Sequence, residues 1–134
     1  MSCVFCKMDH TKVENTIIDE SNHFLVLPSV GSLVDGYLMI VSKRHINSMA
    51  ELKENEKMEY ELLIKKYRTL FKDIYHQYPI LFEHGSPIMD SNMKANSVVH
   101  AHTHIVNHHF IDEKIIIKKL NFNRIENLSY LSKE

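Results

Sequence analysis

Apolar residues along the chain fall into short runs, one long helical stripe and one alternating segment. His23-Phe24-Leu25-Val26-Leu27 is a short apolar run closed by Pro28, the form of a strand. Ser29 to Gly36 holds a Gly-Ser and an Asp-Gly pair and predicts a loop. Tyr37-Leu38-Met39-Ile40-Val41 is continuously apolar and predicts a central strand. Ser48-Met49-Ala50-Glu51 sets hydroxyl and carboxylate three residues apart, as a capping box requires, and predicts a helix from Ser48 to about His76. In that helix Tyr60, Leu63, Ile64, Tyr67, Leu70, Phe71 and Ile74 recur at spacings of three and four and make one broad apolar face. Lys53, Glu54, Lys57, Glu61, Lys65, Lys66 and Lys72 form the opposite, solvated face, so the aromatic stripe reads as core.

Pro79 starts a new segment in which Ile80-Leu81-Phe82-Glu83 reads as a strand ending at Gly85. Ser86 to Asn96 is polar, holds Pro87 and predicts a loop. His100-Ala101-His102-Thr103-His104-Ile105-Val106 follows, with an imidazole at every second position. A period of two predicts a strand with all three imidazoles on one face. Lys114 to Leu120 reads as a strand or a helix start, and Asn121 to Glu134 as helical or frayed. Strands, a long helix, then two further strands predict an α+β fold, an antiparallel sheet packed on a helix.

Three histidines in register point to chemistry, because imidazole titrates near neutrality and suits proton transfer, phosphoryl attack and metal ligation. Geometry argues against one shared metal. Same-face neighbours on a strand are roughly 6.5–7 Å apart, which puts the outer pair roughly 13 Å apart. Zn–N bonds are only about 2.0–2.1 Å. Two neighbours could share an ion; three on an unbroken strand could not easily converge, so at least one has a different duty.

Composition narrows the class. A chain of 134 residues with 44% hydrophobic and 25% charged residues fits one ordinary domain with a real core, and no repeat or linker divides it. The net charge of −1 gives no basic field for nucleic acid, although a small anionic ligand needs only a local site. No run approaches the length of a membrane span, and Met-Ser-Cys-Val-Phe-Cys does not read as a secretory signal, so a cytoplasmic location is expected. The two cysteines, Cys3 and Cys6, then read as redox or metal groups and not as a structural disulfide. A thioredoxin-like motif needs a preceding strand, which two residues cannot supply. Half of a zinc site, or two free cysteines in a mostly buried segment, remain.

His100-x-His102-x-His104-Ile105-Val106 resembles the histidine triad (HIT) motif, His-φ-His-φ-His-φ-φ. Three more blocks agree with the family in order: Cys3-Val4-Phe5-Cys6-Lys7, Gly36-Tyr37-Leu38-Met39-Ile40-Val41-Ser42-Lys43-Arg44-His45-Ile46, and Phe82-Glu83-His84-Gly85. The resemblance covers roughly residues 3 to 110, with 111 to 134 as a C-terminal extension. It implies about five antiparallel strands packed with one long helix and shorter helices. It also implies nucleotidyl hydrolysis or transfer on nucleoside phosphoramidates or dinucleoside polyphosphates. By position His102 is the nucleophile that attacks the α-phosphorus, and His104 orients it or contacts a phosphate oxygen. Asn96 and Ser97 stand where the family places polar contacts to phosphate or leaving group. Bacterial relatives carry a structural zinc, and the matching positions are Cys3, Cys6, His45 and His100, a closed tetrahedral set. The family commonly dimerises, so a homodimer is expected through apolar surface of the long helix.

The chain departs from the family at several points. Tyr37 stands where many members have a histidine and could only partly replace it as a donor. Ser29 stands near the Asp that holds ribose hydroxyls in nucleoside-monophosphate-binding members. Thr103 replaces an aliphatic residue, and its hydroxyl needs a partner. Glu83, His84, His108 and His109 are candidates for the pocket mouth. Two competing readings stand beside the nucleotidyl enzyme: a metallohydrolase with zinc held by triad histidines, and a non-catalytic nucleotide-binding module.

Overall fold

The computed structural model describes residues 3–9, 11–12, 16–29, 34–83 and 99–107. Five strands form one antiparallel sheet: β1 (Asp19–Glu20), β2 (Phe24–Pro28), β3 (Tyr37–Ser42), β4 (Ile80–Glu83) and β5 (His102–Val106), in the order β1-β2-β3-β5-β4. One long helix, α1 (Glu54–Tyr75), packs on it. This is the expected α+β architecture; the shorter helices reduce to 3-10 turns at Phe5–Lys7 and Met49–Glu51 among the described residues.

The apolar runs are continuous because both faces of the inner strands are covered: Val26 and Ile40 pack toward α1, and the next residues along, Leu27 and Val41, are buried on the opposite face. Phe24, Val26, Ile40, Ala101 and Ile105 join Tyr60, Leu63, Tyr67 and Phe71 of α1 in one buried cluster. Those four helix residues are spaced three, four and four apart, a stripe aligned along one face. Leu70 and Ile74 belong to the flank of that stripe and not to the core: they are 41% and 57% exposed. Pro28 ends β2 where the two-residue β1 has already stopped, so its missing N–H breaks no ladder bond on that side.

The helix begins later than its sequence pattern predicts. Ser48 does cap, its hydroxyl accepting from Ala50 N–H at 3.1 Å, and the Glu51 carboxylate accepts from Asn47 N–H at 3.1 Å. These bonds close only the 3-10 turn, after which Leu52 and Lys53 are extended. The α-helix restarts at Glu54, with Glu56 accepting from Lys53 N–H at 2.7 Å. The same carboxylate, buried, receives Arg44 Nη2 at 2.7 Å and Nε at 3.0 Å and ties the loop after β3 to the helix. At the far end His76 adopts a left-handed conformation (φ 60) and stops the helix, its carbonyl accepting from Lys72 Nζ at 3.0 Å. Gly36, at φ 72, lies against Tyr75: a Cβ there would stand 2.6 Å from the tyrosine oxygen. Among the described residues no helix is long and apolar enough to cross a membrane.

Candidate active site and metal centre

The triad is not one unbroken strand. β5 starts at His102, and His100-Ala101 peels away from the ladder. Ala101 N–H donates to Ile46 O at 2.7 Å, and Ala101 O accepts from Ser42 N–H at 3.3 Å. The second bond continues the register of β3 with β5, while the first turns Ala101 to the loop after β3, the loop that carries His45. His100 is therefore turned to His45, and their Nδ1 atoms are 3.2 Å apart.

Cys3 Sγ lies 3.3 Å from His100 Nδ1, and Cys6 Sγ lies 3.6 Å from it and 3.3 Å from His45 Nδ1. All four ligand atoms fall within 4.8 Å of one another. A tetrahedral ion with Zn–N of about 2.0–2.1 Å and Zn–S of about 2.3 Å requires edges of about 3.3 Å (N···N), 3.6 Å (S···N) and 3.8 Å (S···S); the four separations above match, and the other two pairs, within 4.8 Å, need close by no more than about 1 Å. The tautomer also fits. His100 Nε2–H donates to the Ser42 carbonyl at 2.6 Å, which leaves the Nδ1 lone pair facing the cluster. Burial pushes the His100 pKa down, neighbouring His45 and His102 add to that, and only the Ser42 bond opposes it. A neutral imidazole is the form a metal binds. The Cys3, Cys6, His45, His100 cluster could hold a metal ion, and it leaves no position open once four-coordinate.

His102 and His104 project from β5 on the same face, with ring centroids 4.8 Å apart and planes at 73°. His102 is buried, and its Nδ1–H donates to the His100 carbonyl at 2.7 Å. The proton is thereby assigned to Nδ1 and the lone pair to Nε2. His104 is held by two residues on the strands either side of it. Tyr37, diagonal to it on β3, has its hydroxyl 3.0 Å from His104 Nδ1. Phe82, directly opposite on β4, stacks on the imidazole at 4.6 Å and 18°. On the other face of β5 the Thr103 hydroxyl finds its partner in Tyr60 Oη at 2.6 Å.

One candidate, Glu83, has a structural partner. The Glu83 carboxylate accepts from Met49 N–H at 2.6 Å, so it caps the 3-10 turn before α1. That structural bond competes with the expected contact to substrate. Asn96, Ser97, His84, His108 and His109, together with the C-terminal extension, lie outside the described residues. Phe82 and Phe5 were not singled out from sequence. The strand register identifies Phe82, since it pairs with His104, but no spacing rule points to Phe5.

An antiparallel five-stranded sheet on one helix, with paired imidazoles on an inner strand and a third turned into a Cys/His cluster, defines a histidine triad domain. Residues 2–120 match the family model described as Scavenger mRNA decapping enzyme C-term binding. An uncharacterised HIT-like protein of Methanocaldococcus jannaschii is 21% identical over 127 residues, covering 94% of this chain and 91% of that protein. The protein named Hit of Bacillus subtilis is 23% identical over 107 residues, 78% of this chain and 70% of its own length. A solved HIT family hydrolase from Clostridium thermocellum superposes with a TM-score of 0.60 at 20% identity, over 84% of this chain and 96% of that one. The chain belongs to the histidine triad family.

Proposed function

We propose that the protein is a nucleotidyl hydrolase or transferase that works through a covalent nucleotidyl-His102 intermediate. The observation that carries this reading is the 2.7 Å bond from His102 Nδ1–H to the His100 carbonyl, which directs the Nε2 lone pair to attack. Nε2 attacks the α-phosphorus of a nucleoside phosphoramidate or a dinucleoside polyphosphate. A P–N bond forms, the bond to the leaving group breaks, and the departing amine or phosphate takes a proton. Water, or another acceptor, then attacks the same phosphorus, breaks the P–Nε2 bond and restores His102. With the Tyr37 hydroxyl donating to His104 Nδ1, the His104 proton sits on Nε2 and supplies a donor for a phosphate oxygen or the leaving group. Tyr37 acts here as a positioning residue. Asn96 and Ser97 complete the phosphate contacts, and Glu83 borders the site from β4.

The cluster of Cys3, Cys6, His45 and His100 is read as a structural zinc site. A four-ligand site supplies cross-linking and no activated water, and it ties the N-terminal segment to the sheet. The name of the matching family brings mRNA-cap dinucleotides, themselves dinucleoside polyphosphates, into the substrate panel. A homodimer, for which the exposed apolar side chains of Met58, Leu62, Leu70 and Ile74 on α1 offer a surface, and a cytoplasmic location complete the reading.

The test is an early quench into alkaline denaturant, which spares the acid-labile P–N bond, after mixing with adenosine phosphoramidate, diadenosine tetraphosphate or a cap dinucleotide, followed by intact mass measurement without acidification. A nucleotidyl adduct is expected in the native protein and none in His102→Ala. Full turnover in that variant would remove the nucleophile assignment. Elemental analysis of untagged protein is expected to find zinc, and a folded, metal-free preparation would overturn the zinc reading.

A further inference from the structure

The turn that joins the two cysteines carries an aromatic ring into the triad. Phe5 opens the 3-10 turn Phe5–Lys7, and its ring centroid lies 5.2 Å from that of His102 at 54° and 5.5 Å from that of His100 at 69°. Both separations lie in the range where aromatic rings attract, about 4.5–7 Å. Phe5 is half-buried although Val4 before it is 61% exposed and Cys6 after it is exposed. The turn is weakly built: it contains no buried residue, its N-cap Val4 makes no side-chain bond, and its backbone bond from Lys7 N–H to Cys3 O at 3.3 Å is local. The thiol contacts with His45 and His100 reach from it to distant parts of the chain.

His102 is ordered in more than one direction. Its bond to the His100 carbonyl fixes one edge of the imidazole, and the rings of Phe5 and His104 pack against it with centroids 5.2 and 4.8 Å away. Attack on phosphorus tolerates little rocking, because a misplacement of about 1 Å costs about a hundredfold in rate. The Phe5 ring against His102 opposes that motion, and the cysteines on either side of Phe5 anchor it.

We infer that Phe5 is a positioning residue for His102, and that the Cys3/Cys6/His45/His100 cluster acts on the reaction through it. Closure of the cluster holds the Phe5 ring against the nucleophile. The inference rests on His102 being the nucleophile, as proposed above.

The test compares the full-length protein with Phe5→Ala, Phe5→Tyr, Cys6→Ser and the double variant Phe5→Ala/Cys6→Ser, each exposed to zinc. Four quantities are read: metal content, the protected imidazole N–H resonance of His102, the single-turnover rate of adduct formation from adenosine phosphoramidate, and the steady-state KM for that substrate. Phe5→Ala is expected to retain zinc, to broaden or lose the His102 resonance, and to slow adduct formation about tenfold with KM changed by less than about twofold. Phe5→Tyr restores both. Cys6→Ser loses zinc and is slowed at least as much, and the double variant is no slower than Cys6→Ser, since each removes the same contact. A native resonance and rate in Phe5→Ala, or losses that multiply in the double variant, would overturn the inference. If Phe5→Ala does not fold, Phe5→Leu is read in its place, with the same resonance change expected and a native spectrum overturning it. Absence of any adduct in the native protein would sink the nucleophile reading instead. The His102 resonance in Phe5→Ala, which needs no turnover, still decides whether Phe5 positions the ring.

Discussion

The two faces of β5 draw on the same five residues and hold them by different means. Thr103 and Ile105 point into the core, 2% and 0% exposed, where Ile105 is held by apolar packing with the sheet and α1. His102 and His104 point the other way and are held by specific atoms: a carbonyl at 2.7 Å for one, a hydroxyl at 3.0 Å and a stacked ring for the other. The core face is specified by volume and area, and it accepts any side chain of the right shape. The imidazole face is specified by lone pairs and angles, so a change that leaves volume intact can still remove its function. Because side chains alternate strictly, neither face can be shifted without exchanging both sets.

That contrast breaks most sharply at Ile105. Ile105→Ala is expected to lower unfolding free energy by about 2–5 kcal/mol, read by urea titration. Adduct formation by the fraction that remains folded should stay within about threefold of native. A large catalytic loss in fully folded protein would show that the faces are not separable.

The next largest effect lies in the tie between the loop after β3 and α1. The Arg44 guanidinium holds the Glu56 carboxyl down at about 2 from an ordinary 4.5, against the opposing effect of burial and with help from Lys53 N–H. A depressed carboxyl contributes stability that is fully present above the ordinary value and lost as pH falls toward the lowered one. Discounted because Arg44 is 41% exposed, the pair is expected to contribute about 2 kcal/mol, lost between about pH 4.5 and 2. Glu56→Gln should flatten that limb of the stability profile. An unchanged limb would assign acid unfolding to other groups.

A smaller effect tests the polar pair within the core face. Burial pushes the Tyr60 hydroxyl up to about 12, so it stays protonated beside Thr103. Tyr60→Phe leaves the buried Thr103 hydroxyl without this partner and should cost about 1–3 kcal/mol by thermal or urea unfolding. Adding Thr103→Val should recover part of the loss. A double variant less stable than Tyr60→Phe would mean that the threonine is paired in another way.

The smallest expected effect belongs to the imidazole face and should leave stability untouched. Tyr37→Phe removes the hydroxyl on His104 Nδ1 and is expected to slow turnover about tenfold, roughly 1.4 kcal/mol in the barrier. The thermal midpoint should remain within about 2 °C of native. A stability loss without a kinetic one would make Tyr37 a core residue and not a positioning one.

Much of this division was legible in the chain itself. Apolar runs marked β2, β3 and β4, spacings of three and four marked α1, and the alternation in the triad marked β5. The departure at Thr103 announced a hydroxyl in need of a partner, and Tyr60 supplies it. What escaped has physical causes. β1 is two residues long and owes its existence to pairing with β2, a contact no local pattern encodes. The break before Glu54 follows from Glu51 and Glu56 capping separate turns, when the sequence suggests a single cap at Ser48. His100 leaves the strand where Ala101 N–H turns from β3 to the carbonyl of Ile46, more than fifty residues away in sequence. His100 turns toward Cys3, Cys6 and His45 by a bend at the start of β5 that strand spacing does not encode. Phe5 sits on His102 through contacts that join the two ends of the described chain.

The carbonyl of His100 carries one further consequence. A single residue serves two masters: its side chain faces the thiols, and its peptide oxygen orders the neighbouring imidazole. Every amino acid placed at position 100 brings that oxygen with it. Side-chain scanning is therefore blind to the group that most directly aligns the nucleophile. His100→Ala reports on the side chain's contacts with the thiols, His45, Phe5 and Ser42, while an edit of the main chain itself, such as an ester in place of the amide, addresses the carbonyl directly.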